Sequence, residues 1–172
     1  MLHTPPATDA PDPHGAFLPG PGARAAPHVA LGVRHEALAP AFARAFPWTR
    51  WETRLAARGV TLDRPRGSRH PAYPAIVYPI DYGYANGTSS GDGEAVDVFV
   101  GTAPALGLVG AILTRDFRRL DREVKLLWNT HPEEIYRAHG FLNFDRALLD
   151  GTLALRYPMA ELWRRAIEIS AP

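Results

Sequence analysis

Tyr78-Pro-Ile-Asp-Tyr82-Gly-Tyr84, followed by Asp92-Gly-Glu94-Ala-Val-Asp97-Val-Phe-Val100, is the stretch from which the rest of this chain can be read. Residues 95–100 alternate: Val96, Val98 and Val100 take one side, Ala95, Asp97 and Phe99 the other. That is the period of a β-strand. Tyr82-Gly-Tyr84 is also strand-like, and Gly91 and Gly93 let the intervening loop bend sharply. Asp97 therefore lies in a strand, on a side shared with Phe99, where a lone buried carboxylate is costly. Asp92 and Glu94 stand just before it, so three carboxylates can converge on one point. Ionised carboxylates this close repel one another. A hard cation such as Mg²⁺ takes oxygen ligands, shares them with substrate phosphates and removes the conflict. The plainer alternative is a solvated acidic turn beside one hydrogen-bonded core aspartate.

Outward from this stretch, the chain reads as strands and turns between helices. Val60-Thr-Leu62 and Ala75-Ile-Val-Tyr78 are strand-like, with a turn at Asp63-Arg-Pro-Arg-Gly-Ser68. Leu106 to Thr114 and Arg122 to Trp128 are two more apolar strands. Between 36 and 58 the spacing is helical, with Pro47 breaking the run and Gly59 ending it. Trp48, Trp51 and Leu55 share a face of the second helical piece, where they pack on the main domain. Thr130-His-Pro-Glu133 carries a capping-box pattern and predicts a helix to about His139, with Gly140 as its stop. A last helix is expected from near Pro158, carrying Met159, Leu162, Trp163 and Ile167. The class is α+β, mainly β: a small, mostly antiparallel β-barrel with helices outside it. Residues 1–35, with seven prolines in the first 27, are expected to form a disordered Pro/Ala-rich tail. Residues 36–172 are expected to form a single domain, with the barrel core at about 60–128.

Composition narrows the function classes. A net charge of +1 offers no bulk attraction to nucleic acid or to a membrane surface, and neither is expected as a partner. No apolar run approaches membrane-spanning length, and the start lacks the pattern of a secretory signal. The chain has no cysteine, which excludes disulfides and thiolate metal sites and fits a cytoplasmic location. Of 19 Lys+Arg residues only Lys125 is lysine. In a chain that uses arginine this heavily, one lysine suggests a role for a compact, rotatable point charge; chance retention is the alternative.

Three further groups carry chemistry. In a strand, Asp121, Glu123 and Lys125 share one face, with neighbours about 7 Å apart, while Arg122, Val124, Leu126 and Trp128 take the other. This is either an exposed salt-bridge ladder or half of a metal-and-phosphate site completed by the Asp97 strand. Arg64, Arg66, Arg69 and His70 form a basic turn, and an arginine fork matches phosphate oxygens bidentately. Tyr78 and Tyr82 flank a sharp turn, where their hydroxyls can orient a carboxylate or touch a phosphate; aromatic core packing would serve equally. Cation ligands, phosphate-binding cations and hydroxyl donors, with no Ser-His-Asp set and no cysteine nucleophile, suit metal-assisted phosphoryl transfer to water.

Tyr-Pro-x-x-Tyr-Gly-Tyr, then Asp-Gly-x-x-x-Asp, then an acid two residues before a strand lysine, resembles soluble family I inorganic pyrophosphatase. The resemblance runs from about Val60 to Trp128. Leu62-Asp-Arg-Pro-Arg-Gly-Ser-Arg-His-Pro71 is similar to a shorter, divergent bacterial branch. It implies a five-stranded OB-like barrel with flanking helices and hydrolysis of inorganic diphosphate to two phosphates. It also implies two or more Mg²⁺ ions, with Mn²⁺ as the alternative ion. Asp92, Asp97 and Glu123 would hold them, and Glu94 would help deprotonate the attacking water. Lys125 would bind phosphate oxygens, Tyr82 would orient Asp97, and Tyr78 would contact the phosphate side. Arg64, Arg66 or Arg69 would supply the basic contacts. The chain has Glu94 and Glu123 where the family usually has aspartate. Arg118 falls where the family has a further aspartate, for which Asp116 or Asp121 could compensate. A module that binds a phosphate or diphosphate without turnover, or acts on another diphosphate, stays open beside the enzyme. A homo-oligomer is compatible with either.

Overall fold

The strand at Asp97–Val100 is covered on both faces, because Val98 and Phe99 project to opposite sides and both are fully buried. The computed structural model describes residues 38–89 and 93–170. The expected tail at 1–35 and the loop carboxylate of Asp92 lie outside them. Two helical pieces, α1 (38–45) and α2 (Trp48–Arg58), precede β1 (Val60–Arg64), β2 (Asp81–Ala85), β3 (Asp97–Val100), β4 (Leu108–Asp116) and β5 (Asp121–Trp128). Then come α3 (Pro132–Leu142), β6 (Leu149–Leu155) and α4 (Met159–Ser170).

The strands form one sheet in the order β1-β2-β3-β5-β4-β6. Its pairings are antiparallel except β3 with β5, which is parallel. On one face Val98, Leu108, Ala111 and Leu126 pack with Leu55 of α2 and with Phe42, Phe46, Trp48 and Trp51. On the other, Tyr82, Phe99, Ile112 and Leu127 pack with Ile135, Ala138 and Leu142 of α3 and Leu162 of α4. The expected packing role of Trp48 and Trp51 is met. No described helix is long and apolar enough to cross a membrane.

Four expectations need correction. The sheet is mixed and does not close into a five-stranded barrel. A sixth strand, β6, occupies the outer edge of β4 that closure would have required. That strand escapes a periodicity reading because buried Asp150 and Gly151 interrupt its apolar pattern. The segment at 75–78 is no strand but makes a single bridge, Arg69 with Val77. The capping box lies one residue later than the pattern suggests: His131 is the N-cap and Glu134 is N3. Buried Glu134 is drawn there because it also accepts from the Thr102 amide and hydroxyl, just past β3. The same helix runs through Gly140 to Leu142, since the apolar face made by Ile135, Ala138 and Leu142 outweighs the roughly 1 kcal/mol that an interior glycine costs. Its end is held by Asn143, whose Nδ2 donates to the His139 carbonyl at 2.9 Å.

Gly83 shows how tightly the site's first two strands are joined. A Cβ there would lie 1.9 Å from the Thr61 carbonyl oxygen, so no side chain fits without moving β1. Gly83→Ala should lower the free energy of unfolding by about 3 kcal/mol, measured by urea denaturation. A loss below about 1 kcal/mol would mean that the edge strand yields easily.

Candidate functional site

The parallel β3–β5 pairing matters most for chemistry. It aligns Val98 with Leu126 and Phe99 with Leu127, so Asp97 and Lys125 emerge on one face of adjacent strands. Tyr82 reaches the same face from β2, opposite Phe99. Lys125 Nζ donates to Asp97 Oδ2 at 2.5 Å, to Glu123 Oε2 at 2.5 Å and to the Tyr82 hydroxyl at 3.2 Å. The lysine side chain is 10% exposed, against 29% for Asp97 and 26% for Glu123, so the carboxylates form the outer side of the cluster.

Burial lowers the Lys125 pKa, but Tyr82, Asp97 and Glu123 together outweigh it and hold the pKa above the ordinary 10.5. Burial is also the main reason the Tyr82 hydroxyl is held well above 10.0, and a hydrogen bond with Asp97 adds to it. The cluster is thus an ammonium that donates directly to two carboxylates and to the hydroxyl of a neutral phenol. The wall beside it is aromatic. Tyr78 lies 5.1 Å from Tyr82 between ring centres, and Phe99 packs edge-on at 4.8 Å. The Arg64 guanidinium sits over both tyrosines, 5.7 Å from Tyr78 and 5.9 Å from Tyr82.

The structure brings together Tyr78, Tyr82, Asp97, Glu123, Lys125 and Arg64. Glu94 is exposed in the bend leading into β3, where Gly93 takes φ +87°. Asp121 stands at the β4–β5 turn, in register with Asp116. Asp116 accepts from the amides of Arg118 and Arg119 at 2.7 and 2.9 Å, so it shapes that turn. The other two arginines of the basic turn lie elsewhere: the backbone amide of Arg66 donates to the Asp81 carboxylate at 2.7 Å, and the Arg69 guanidinium donates to the Pro74 carbonyl at 2.8 Å. Both side chains are exposed.

Oxygen donors of this kind fit a hard cation. Asp97 and Glu123 already converge on one positive atom, each at 2.5 Å. Among the described residues no group of three or more His, Asp or Glu is gathered closely enough to hold a metal, and Asp92 lies outside them. Two side chains near this wall carried no expectation from sequence. Tyr73 packs its ring against His70 at 5.1 Å. Arg119, with Arg64, adds to burial in lowering the His70 pKa below 6.5. Sequence signalled Arg119 only as one more arginine in an arginine-rich chain, and Tyr73 as one tyrosine in a turn.

No protein-family model matches the chain, and no curated protein matches its sequence. Solved structures that overlap it include an inorganic pyrophosphatase from Coxiella burnetii, 12% identical over 64% of this chain and 94% of that one, with a TM-score of 0.43. Another is the inorganic pyrophosphatase of Helicobacter pylori, 15% identical over 63% and 90%, with a TM-score of 0.43. A third, from Neisseria gonorrhoeae, is 18% identical over 63% and 86%, with a TM-score of 0.41. Overlap this partial assigns neither family nor activity to this chain.

Proposed function

We propose that this chain hydrolyses a diphosphate to two phosphates with the help of divalent cations, Mg²⁺ first and Mn²⁺ as the alternative. The observation that carries the reading is the cluster of Asp97, Glu123, Lys125 and Tyr82 on three adjacent strands. Its charges alternate as a cation–diphosphate complex requires: carboxylates for the cation, an ammonium and a guanidinium for phosphate oxygens.

Asp97 and Glu123 would hold the cations, joined by Asp92 from the preceding loop, with Asp121 further along β5. When bound, such ions neutralise phosphate charge and supply a water acidic enough to react near neutral pH. Glu94, at the mouth of the loop, takes a proton from the attacking water. Lys125 binds a phosphate oxygen with a charge that does not titrate near neutral pH. Tyr82 orients Asp97, and Arg64 grips the outer phosphate above Tyr78. Arg66 and Arg69, exposed on the same turn, strengthen the positive field on the approach side. The described chain sets no serine or cysteine nucleophile at the cluster, which agrees with direct attack by water.

Arg118, standing where the resembled family has an aspartate, favours a second reading in which the site binds a diphosphate without turning it over. Purified protein should release phosphate from inorganic diphosphate in Mg²⁺, and release should stop with EDTA. Thermal stabilisation by Mg²⁺ plus diphosphate without phosphate release would select the binding module instead.

A further inference from the structure

Between β1 and β2 the chain makes a second, smaller hairpin at 67–78. Its arms are joined by Gly67 N to Tyr78 O at 2.8 Å, Tyr78 N to Ser68 O at 3.0 Å and His70 N to Ile76 O at 2.9 Å. The Ile76 amide donates to the Tyr73 carbonyl at 2.9 Å, and the Arg69 guanidinium braces Pro74. His70 Nδ1 accepts from the amides of Ala72 and Tyr73 at 3.1 and 3.2 Å, so the neutral ring carries its proton on Nε2. This bonding holds the hairpin tip in one arrangement.

The rings on this hairpin descend toward the site. Tyr73 lies 5.1 Å from His70. His70 is nearly parallel to Tyr78, 6.2 Å away with planes 15° apart. Tyr78 meets Tyr82 at 5.1 Å, and the Tyr82 hydroxyl meets Lys125. The outermost ring, Tyr73, is 51% exposed, so one end of the series stands in solvent and the other at the phosphate-binding ammonium. Arg64 sits over the inner two rings. Burial first, then the charges of Arg64 and Arg119, lower the His70 pKa below 6.5, which favours the uncharged ring. A bare diphosphate has no face to stack, and its hydrolysis leaves these outer rings without a role.

We propose that the site's substrate is a diphosphate carrying a flat aromatic ring, of the nucleoside diphosphate class, with the base on Tyr73 and His70 and the phosphates over Arg64 toward Lys125. This rests on the diphosphatase reading above and narrows its substrate. In the reaction, water oxygen bonds to the terminal phosphorus and the bond from that phosphorus to the bridging oxygen breaks. Nucleoside monophosphate and inorganic phosphate leave, with one proton released to solvent.

The test compares ADP with methyl diphosphate, which has the same anhydride and no ring, using the full chain in Mg²⁺. Both calorimetric affinity and phosphate release are measured. ADP should bind about tenfold more tightly than methyl diphosphate, the size expected for one base on an aromatic face. Tyr73→Ala should erase that ratio, and Tyr73→Phe should restore it. Because Tyr73 is half-exposed, its loss opens no core. Equal affinities in the native chain, or a ratio unchanged in Tyr73→Ala, would overturn the proposal. Calorimetry needs no turnover, so it separates the two readings. Absence of phosphate release from every substrate, inorganic diphosphate included, defeats the diphosphatase reading, while the affinity ratio still decides the ring.

Discussion

Asp97→Asn is expected to cut Mg²⁺-dependent phosphate release from diphosphate at least about 100-fold, with the fold intact. The change is almost isosteric, so Phe99 and Val98 on the same strand keep their packing. Lys125 keeps Glu123 as its partner. What is lost is the one negative charge that β3 contributes to the cluster, together with the cation-holding part proposed for it. If Asp97 only balanced the buried lysine, the variant would lose stability and keep its rate. Phosphate-release kinetics beside a thermal melt distinguish the two outcomes. A variant with an unchanged rate would remove Asp97 from the chemistry.

The second large effect concerns Lys125. Lys125→Met is expected to lower the unfolding free energy by about 3 kcal/mol, because Asp97 and Glu123 then face each other with no counter-ion. For a chain of 172 residues that is a drop of roughly 10 °C in Tm. Added Mg²⁺ or Mn²⁺ should raise the Tm of the variant more than that of the native chain, since a cation can take the place the ammonium has left. Activity should remain lost even where stability returns, because the phosphate oxygen has no ammonium to meet. A variant that melts like the native chain and ignores divalent ions would show that the cluster is an ordinary surface ion pair.

Much of this was legible in the chain before any fold was known. The alternation at 96–100 correctly separated Val96 and Val98 from Asp97 and Phe99: the valines enter one core, Phe99 the other, and Asp97 meets Lys125 on the Phe99 side. The same period on β5 set Glu123 and Lys125 on the face opposite Leu126. Pro47 and Gly59 bounded α2 as their backbone chemistry requires. Less legible was the choice among equivalent residues. Arg64, Arg66 and Arg69 are chemically alike, and only the path of the turn selects Arg64 for the tyrosine wall. Likewise Asp116 and Asp121 look like spare metal ligands, yet the β4–β5 turn directs Asp116 to its own amides. The strand β6 is hidden by buried Asp150 and Gly151, and the true N-cap of α3 depends on the bonds of Glu134 to Thr102, 32 residues away, which periodicity does not report.

By itself, the order of residues determined which side chains share a strand face, where α2 starts and stops, and that carboxylates, one lysine and tyrosines would have to coexist. These are local consequences of a two-residue pleat, a fixed proline φ and a flexible glycine. Only the tertiary structure decided that β3 runs parallel beside β5, that β6 and not β1 takes the last edge of β4, and that Arg64 alone of the basic turn lies over the tyrosine wall. Strand pairing is settled by the free energy of burying two whole sheet faces at once, a sum over contacts between residues distant in sequence. The cluster of Asp97, Glu123, Lys125 and Tyr82 is a product of that sum.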